Sequence, residues 1–565
     1  MDKIKTDLLV IGGGGAALRA ALEAKKSGSN VLVAQKGIGS TAYKVAETAG
    51  YNAADGQVDP LDNIEEFYND IIRAALGMAD PRLVEALVNE AAPSIKFLEE
   101  LGVPFERDGG KYLEVVGCFA VRPRMHIIKG HGEPIIDALK KIIRRQQIPV
   151  LNRVMVAKLL VKHNRIAGAV CLNLESGQIF AVECKAIFLG TGGAGQLFRW
   201  NHNPVDITGD GYALAYRTGA RLVNMEYMQA GLGFTTPVRS NFNNWIWSGY
   251  PIVKNNSGSS FIEKYLPQSI TVQEIMDAKS GHYPFSGRDA SKYIEIAIHR
   301  EIQSGGGTPN DSIVIDFAPL LELDSAVLPD HLVIKKMWPM TRDYLISKGV
   351  NLARDRIEVS TFGHAINGGL VIDVNGMSTV EGLFAAGEVA GGPHGADRLG
   401  GNMLLTCQVF GARSGKAAAG FVRDNQPVDI NDNLLAGEEK ELKSFFNDQG
   451  DFSLPALKKQ LQTLMWSNYL VVKNEYTLNQ CLSGLKQIEN NLEDAQVASP
   501  AELGLRLEIK NMVDTARMMC SAALLRKESR GSHYREDYPD IDANYGKPIF
   551  ITENNDTMHI TFGSY

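Results

Sequence analysis

The densest group of residues able to hold a charged ligand is the glycine-rich stretch 381–405, EGLFAAGEVAGGPHGADRLGGNMLL. A short apolar run predicts a buried strand here, and a helical pattern follows from Met403. Glycine costs roughly 0.5–1 kcal/mol inside a helix or strand, so the many glycines between them predict a loop. Because a glycine turn that opens a helix points backbone N–H groups at an anion, the stretch predicts a ligand-cradling loop rather than a plain linker.

A second glycine turn lies at the N-terminus, between the apolar run 6–11 and a helical pattern that leads to the strand NVLVA at 30–34. Strand, turn, helix and strand in this order predict a dinucleotide-binding fingerprint whose turn carries Gly12, Gly14, Gly15 and Ala16. The acidic residue expected after the second strand is replaced by Gln35 and Lys36. The ribose would therefore be held by another group, such as Gln35.

A third crossing from strand to glycine occurs at residues 186–195, AIFLGTGGAG, and brings Thr191 and Gly192 to a turn. The segment TGDG at 208–211, which contains Asp210, opens a further helical pattern. These turns are more than one nicotinamide needs, so the sequence predicts an extended cofactor.

Composition limits the class of protein. The chain has 565 residues, of which 44% are hydrophobic and 22% charged, and its net charge is −7. Two to four domains are expected for this length. The acidic balance and the lack of long runs of like charge argue against binding to nucleic acid or to an anionic membrane surface.

Six cysteines are scattered without a CxxC pair, which predicts neither a zinc site nor an iron–sulfur cluster, so the sequence predicts no metal ligands. The N-terminus enters a strand without the pattern of a signal peptide, and no run of eighteen apolar residues predicts a membrane span. A cytoplasmic protein, or one at the cytoplasmic face of a membrane complex, is the expectation.

Long motifs in this chain resemble the flavoprotein family of succinate dehydrogenases, fumarate reductases and L-aspartate oxidases. The resemblance lies in GTGG at 190–193, TGDG at 208–211, HGADRLGGNMLL at 394–405 and the tail LRKESRGSHYREDYP at 525–539. It implies an α/β fold with a Rossmann-like FAD-binding domain, an inserted capping domain and a C-terminal helical domain. The expected segments are FAD binding at 1–226 and 346–426, capping at 227–345, and helices with the tail at 427–565.

The same resemblance implies the residues that hold FAD. The pyrophosphate is expected on the first glycine turn, Glu388 on the ribityl chain, and a helix N-terminus after Gly401 directed at the flavin. A positive helix end would stabilise the anionic reduced flavin. The full set of predicted cofactor contacts is Gly12, Gly14, Gly15, Ala16, Gln35, Lys36, Thr191, Gly192, Asp210, Glu388, Arg398, Asn402, Leu404 and Leu405.

The resemblance also assigns catalytic roles. His364 and Arg398 correspond to a clamp for one substrate carboxylate, with charge-assisted donors that also stabilise enolate charge. Arg288, in SGRDA, corresponds to the proton donor, a role carried by the resemblance alone because free arginine is a poor acid.

The clamp for a second carboxylate departs from the family pattern. Gly231 stands where the family has a histidine, and Asn243 and Asn244 stand in place of a Thr-Glu pair. The predicted substrate pocket adds aromatic residues and comprises Gly231, Asn244, Trp245, Trp247 and Tyr250. A buried carboxylate without a donor is costly, so a non-fumarate enoate with one carboxylate is the leading hypothesis.

Flavin attachment and electron supply complete the expectations. The segment 39–45 has Tyr43 near the place of the histidine that bonds FAD in membrane complexes, so noncovalent FAD is predicted. The chain has no cluster motif of its own, and the resemblance implies an iron–sulfur electron-transfer subunit as the partner, with free reduced flavins or thiols as the alternative source of electrons. The alternatives are a succinate dehydrogenase or fumarate reductase flavoprotein, an L-aspartate oxidase, and an electron-transfer subunit without its own substrate.

Overall fold

The computed structural model describes residues 1–37, 50–322 and 333–565. Its strands, in chain order, are β1 Asp2–Lys5, β2 Leu8–Ile11, β3 Val31–Gln35, β4 Gly50–Asn52, β5 Arg107–Asp108, β6 Lys111–Tyr112, β7 Glu114–Val116, β8 Pro123–Ile127, β9 Val150–Asn152, β10 Val154–Lys162, β11 Arg165–Asn173, β12 Ile179–Glu183, β13 Ala186–Leu189, β14 Leu222–Val223, β15 Met228–Thr236, β16 Ser240–Asn241, β17 Ile252–Lys254, β18 Ile313–Asp316, β19 Ile357–Ile366, β20 Gly369–Val371, β21 Leu383–Ala385, β22 Ala390–Gly391, β23 Ile549–Asn554 and β24 Thr557–Phe562.

The α-helices in the same described ranges connect and cover these strands. They are α1 Gly15–Lys26, α2 Ile64–Ala75, α3 Pro81–Asn89, α4 Ala91–Glu100, α5 Glu133–Arg145, α6 Asp210–Tyr216, α7 Val272–Ser280, α8 Lys292–Glu301, α9 Ala318–Leu321, α10 Val333–Ser347, α11 Asn402–Asp424, α12 Asp432–Ser444, α13 Leu454–Asn468, α14 Glu475–Glu493 and α15 Pro500–Leu525. Among the helices so described, none is long and apolar enough to cross a membrane.

A five-stranded parallel sheet in the order β21-β13-β2-β3-β9 forms the centre of the FAD-binding unit. Its strands β2 and β13 are fully buried runs, as expected for strands covered on both faces. Helices α1 and α11 pack closely at Gly415. A Cβ there would lie 2.4 Å from the Ala20 carbonyl oxygen, so the contact requires glycine. The predicted α/β fold is confirmed.

The predicted antiparallel meander at residues 149–189 is confirmed for β10, β11 and β12, which pair in chain order. The parallel strand β1 extends this sheet at its edge. The last part of the predicted run, β13, instead pairs with β2 in the parallel sheet. The chain changes sheets between Glu183 and Ala186.

The capping unit is a five-stranded sheet in the order β16-β15-β19-β18-β17, accompanied by α7, α8 and α10. Strand β19 belongs to this sheet and pairs along most of β15, so the cap sheet extends past the predicted boundary at residue 345. His364 lies near the C-terminal end of β19, where this strand of the cap sheet reaches the FAD-binding unit.

The C-terminal unit contains α12 to α15, each with a buried apolar stripe, in the region predicted to be helical. The tail then returns to the FAD-binding unit, because β23 pairs with β14. The signature at residues 525–539 is held by buried ion pairs: Arg526 contacts Glu226 at 2.7 Å and Glu528 at 2.9 Å. The tail is thus packed against the FAD-binding unit by strand pairing and buried ion pairs.

Candidate functional site

A cavity of about 870 Å³ opens where the carboxyl ends of the parallel strands face the capping unit. This is where open α/β sheets bind ligands. Many of the predicted site residues line it, namely Gly12, Gly14, Gly15, Ala16, Gln35, Lys36, Thr191, Gly192, Asp210, Asn244, Trp245, His364, Glu388, Arg398 and Leu404. Predicted site residues absent from its wall are Gly231, Trp247, Tyr250, Arg288, Asn402 and Leu405.

The first glycine turn is built for close approach of backbone. Gly12 has φ +117°, and a Cβ there would lie 2.3 Å from the Gly190 carbonyl oxygen. Helix α1 begins after Gly14 without a side-chain cap, so its first N–H groups are left for a ligand. An anion at this place meets the positive end of the helix dipole.

The end of β3 carries the substitutes for the missing acidic residue. The Gln35 side chain lies over the turn, where its Oε1 would be 1.9 Å from a Cβ on Gly13, and its Nε2 donates to Asn152. Lys36 is tied by ion pairs to Asp210 at 2.7 Å and Glu508 at 2.8 Å. Burial alone would lower the pKa of Lys36, but these two carboxylates outweigh it and raise that pKa.

Glu388 follows the glycine of the last crossing and lines the cavity beneath Gly193. A Cβ on Gly193 would lie 2.1 Å from Glu388 Oε1, so only glycine leaves this carboxyl in place. Glu388 Oε1 accepts a hydrogen bond of 3.0 Å from the Ile366 N–H. Burial raises the pKa of Glu388 to about 7. A carboxyl poised in this way can accept from or donate to hydroxyl groups of a ribityl chain.

Helix α11 presents a second N-terminus without a side-chain cap, after Gly401 at φ +85°. Asn402 is fully buried and its Oδ1 accepts from Asn52 Nδ2 at 2.6 Å, so it fixes the helix start from behind rather than from the cavity wall. Leu405 is likewise buried in the core, whereas Leu404 lines the cavity. The predicted contacts of Asn402 and Leu405 with the cofactor are therefore replaced by supporting positions.

Arg398 and His364, the two residues of the predicted carboxylate clamp, lie next to each other. Arg398, which is 7% exposed, approaches His364 at 3.2 Å between Nη2 and Nε2. Burial, with a smaller contribution from Arg398, lowers the pKa of His364 to about 3. His364 is therefore neutral, and the positive charge of this pair lies on Arg398. The Nε of Arg398 is buried and has no hydrogen-bond partner among the described residues.

Arg288 lies beside the clamp but outside the cavity wall. Its guanidinium forms an ion pair of 2.7 Å with the fully buried Asp397, donates to the Ala74 carbonyl and sits 4.5 Å from the Phe119 ring centroid. Burial raises the pKa of Asp397, and Arg288 opposes that shift. In this geometry Arg288, the predicted proton donor, forms an ion pair with Asp397, the residue that precedes Arg398.

The loop predicted to select the substrate divides into two parts. Asn244 and Trp245 line the cavity. Trp247 instead packs in the core of the cap, 5.1 Å from Phe242 between ring centroids. Tyr250 is 42% exposed and donates to Asp277 at 2.6 Å. The expected contacts of Trp247 and Tyr250 with the substrate are thus corrected, because the short 3-10 helix Asn244–Gly249 turns them away from the cavity.

Gly231 explains what replaces the second clamp. A Cβ at this position would lie 2.4 Å from the Tyr283 ring, so Tyr283 fills the space a side chain would need. The Tyr283 hydroxyl donates to the Leu232 carbonyl at 2.9 Å, and the ring meets His364 edge-on at 5.2 Å. The sequence analysis did not predict Tyr283. The one feature that could have indicated it is the glycine at residue 231, which leaves space for a side chain from elsewhere in the chain.

Other cavity residues were also missed, namely Asp206, Cys118, Asn241, Asn243, Met337 and Met340. Asp206 had a signal, since it stands just before the TGDG motif, and its carboxylate lies where a Cβ on Gly37 would be. The two methionines come from α10 and become visible only when the cap folds over the cavity.

These features fit a large dinucleotide cofactor. Glycines allow a bound cofactor to come close to the protein backbone, and two uncapped helix ends face the cavity. Buried oxygens without hydrogen-bond partners among the described residues, Thr191 Oγ1 and Gln408 Oε1, also belong to residues that line it. Such orphan atoms are rare in folded proteins unless a ligand pairs them.

Comparison with known families decides the cofactor. The model of an FAD-binding domain matches residues 7–404, and the model of the fumarate reductase flavoprotein C-terminus matches residues 458–563. The chain belongs to the fumarate reductase and succinate dehydrogenase flavoprotein family. This flavoprotein is accordingly an FAD-dependent oxidoreductase of a family that acts on CH–CH bonds.

Relatives of this flavoprotein match nearly end to end. A protein of Methanocaldococcus jannaschii described as an uncharacterized FAD-dependent oxidoreductase is 35% identical, with 97% of this chain and 96% of that protein covered. A subunit of the fumarate reductase (CoM/CoB) of Methanothermobacter marburgensis is 31% identical, with 98% of each covered. The solved structure of Mycobacterium smegmatis Sdh1 in complex with UQ1 aligns with TM-score 0.86 at 26% identity, covering 100% of this chain and 95% of that one.

Proposed function

We propose that this flavoprotein transfers hydride between FAD and the β-carbon of a carbon–carbon bond adjacent to one carboxylate, as an enoate reductase or the reverse dehydrogenase. FAD, when bound, supplies hydride transfer at the flavin N5. The observation that carries the proposal is Arg398, a cavity-lining residue beside neutral His364 whose buried Nε has no hydrogen-bond partner among the described residues. A carboxylate is the group that such a donor binds most favourably.

Each residue of the clamp has a distinct task. Arg398 binds the carboxylate and stabilises the negative charge that develops on it as the bond order changes. His364 remains neutral near pH 7, so it orients Arg398 and offers a hydrogen bond without adding charge. Arg288 delivers the α-proton, and its ion pair with Asp397, the residue before Arg398, fixes the position of its guanidinium.

The other end of the cavity favours a substrate without a second carboxylate. Among the described residues of the wall, the lysine and arginine side chains are Lys36 and Arg398, and Lys36 lies at the nucleotide end. Tyr283 fills the place of a second cationic clamp, and Trp245 adds an aromatic surface. A second buried carboxylate there would lose several kcal/mol of hydration without a matching cation. The substrate class is therefore a monocarboxylic enoate with an apolar or neutral far end.

Fumarate is the second candidate. Its support is the relative from Methanothermobacter marburgensis, which is 31% identical over nearly the whole chain and is named as part of a fumarate reductase. The side chains of Asn241, Asn243 and Asn244 line the cavity as neutral groups near its far end. In this alternative, amide donors replace the missing cation.

Single-turnover reoxidation tests the proposed reaction. The FAD-loaded protein is reduced with dithionite under anaerobic conditions and mixed with acrylate, cinnamate or fumarate, with propionate as the saturated control. Reoxidation of the flavin by unsaturated acids and not by propionate supports an enoate site. Failure of every unsaturated acid to reoxidise the flavin would overturn it and favour an electron-transfer subunit without its own substrate.

We also propose that the electron-transfer partner is an iron–sulfur subunit. The chain's cysteines contain no cluster motif, and several relatives are named as subunits. The test purifies the native complex through a tag on this chain and measures iron and acid-labile sulfide. Iron and sulfide in fixed ratio to FAD support the partner, whereas an active complex free of both excludes it.

Noncovalent FAD is part of the same proposal, although the segment 39–45 with Tyr43 lies outside the described residues. Acid precipitation of the holoprotein separates the two modes of attachment. Yellow supernatant and a colourless pellet are the expected result, while flavin fluorescence in a denaturing gel band would show a covalent bond.

A further inference from the structure

A three-residue cluster apart from the proposed reaction joins separate parts of the chain. Asp55 follows β4, Glu114 begins β7 and His126 lies on β8. The His126 Nε2 atom is 3.2 Å from Asp55 Oδ2 and 3.4 Å from Glu114 Oε1, and the three ligand atoms lie within 4.8 Å of one another. Two carboxylates and one imidazole therefore converge on a single point.

The imidazole is oriented as metal-binding histidines are. His126 is fully buried, and its Nδ1 lies 3.0 Å from the Arg124 carbonyl oxygen. A carbonyl only accepts, so Nδ1 carries a proton, and in the neutral ring the Nε2 lone pair faces the two carboxylates. A backbone carbonyl on the other ring nitrogen is the usual means of fixing a ligating histidine.

Glu114 supplies the observation that points to a ligand. Its side chain is 3% exposed, and its Oε1 accepts no hydrogen bond from the described residues while facing His126 Nε2. Leaving a carboxylate oxygen buried and unpaired is costly, so an ion or a proton must compensate it.

The separations from His126 favour a cation over a proton shared with the imidazole. Charge-assisted hydrogen bonds between nitrogen and oxygen are about 2.7–2.9 Å long, shorter than the 3.2 and 3.4 Å found here. Zinc binds nitrogen and oxygen ligands at about 2.0–2.1 Å, which places two ligands of a tetrahedral site roughly 3.3 Å apart. Both contacts of His126 have the spacing of ligands around an ion.

The surroundings agree with this assignment. Tyr112 and Phe105 pack on the imidazole with ring centroids at 4.7 and 6.4 Å, which keeps the site apolar on that side. The nearby Arg124 guanidinium is occupied by Asp62 and Asp70 at 2.6 and 2.7 Å, so its charge is already balanced. A divalent ion with two carboxylates and a neutral histidine makes a site of zero net charge.

We propose that Asp55, Glu114 and His126 bind one divalent transition-metal ion of the zinc type. One nitrogen and two carboxylate ligands suit zinc or manganese better than magnesium or calcium, which prefer oxygen alone. The ion clips the loop after β4 to the β7–β8 pair, and Glu114 also lines the cofactor cavity, so the clip stiffens one stretch of its wall. The site does not depend on the identity of the substrate.

Equilibrium dialysis tests the site with the FAD-loaded full chain, first stripped with EDTA and then exposed to Zn²⁺ alone. One zinc per chain is expected, and Co²⁺ in its place should show the visible bands of a tetrahedral N/O site. His126→Gln and Glu114→Gln should each weaken zinc binding about 100-fold. The matched control is Asp289→Asn, because His282 and Asp289 form a similar pair at 3.1 Å, and it should leave zinc binding unchanged.

Three results would overturn the site. These are wild-type protein that binds no stoichiometric zinc, zinc binding that survives both cluster variants, and equal loss in the control. If either variant fails to fold, the cobalt spectrum of the wild-type protein decides, since it reports nitrogen and oxygen ligands without any substitution.

Discussion

The two ends of the cavity are built from different materials. At the nucleotide end, Gly12 allows close approach of backbone, and helix α1 begins after Gly14 without a side-chain cap. At the substrate end, side chains from the cap and from the FAD-binding unit meet, and Tyr283 and Trp245 line the same cavity as His364 and Arg398. Backbone recognition suits a cofactor shared by a whole family, whereas side chains change singly and so set the substrate.

The largest effect at the substrate end is expected for Arg398→Gln. This substitution should cut turnover about 10³-fold while FAD stays bound at the nucleotide end. The arginine supplies the positive charge at the substrate end, and its loss leaves the carboxylate unpaired. Steady-state kinetics with FAD quantified by absorbance measures both. Arg423→Gln, near the C-terminal end of α11 with its side chain 73% exposed, is the control and should change neither.

Arg288→Lys should lower kcat about 10²-fold with little change in KM if this residue delivers a proton. Its ion pair with Asp397 also predicts a drop in thermal stability, because lysine cannot keep both the 2.7 Å contact and the bond to Ala74. Stability and kcat measured together separate the two roles. A stability loss with unchanged kcat would leave Arg288 as a structural residue only.

Gly12→Ala should weaken FAD binding about tenfold or more, since the new Cβ would lie 2.3 Å from the Gly190 oxygen. Gly28→Ala is the matched control: its φ is also positive, at +92°, but nothing lies within 4 Å of the added atom. Both carry similar backbone strain, so equal FAD loss would refute the close-approach argument. FAD retained after gel filtration is the readout.

The raised pKa of Glu388 predicts that the stability of the FAD-free protein falls as pH rises. Its pKa rises from 4.5 to about 7 in the folded state, so its contribution is full below pH 4.5 and is lost as pH rises through 7. The loss is about 3 kcal/mol at most. Thermal unfolding in EDTA should show a smaller decline between pH 5 and 8 for Glu388→Gln than for wild type, and parallel profiles would contradict this assignment.

Trp245→Leu should have the smallest effect, a few-fold rise in KM for cinnamate with acrylate unchanged. Trp245 is 9% exposed and lines the cavity. The proposal places it against the far end of the substrate, which a long acid reaches and a short one does not. Its neighbour Trp247 lies in the core and offers a contrast: Trp247→Leu should lower stability without selecting between substrates.

The contrast between the two ends also explains what the sequence could predict. Glycine turns such as 12–16 are read locally, because strand, turn and helix follow one another in the chain, and the structure places them on one cavity. Tyr283 lies some fifty residues from Gly231, so its filling of that space follows only from the folded cap. Trp247 looked like a pocket residue until a 3-10 helix turned it inward.

The metal cluster shows the same limit. Asp55, Glu114 and His126 have no spacing that marks a metal motif, and the scattered cysteines predicted no site. Pairing of β4 and β7 with the two sides of β8 brings them together. Arg288 was located by resemblance, but its ion pair with Asp397 depends on packing between the cap and the last glycine loop.

The ratio of kcat/KM for a monocarboxylic enoate to that for fumarate tests the central claim most directly. The account predicts that acrylate or cinnamate exceeds fumarate, because Tyr283 occupies the place of a second carboxylate clamp. A ratio in which fumarate leads by an order of magnitude or more would contradict it and show that the neutral amides at the far end are sufficient for a dicarboxylate.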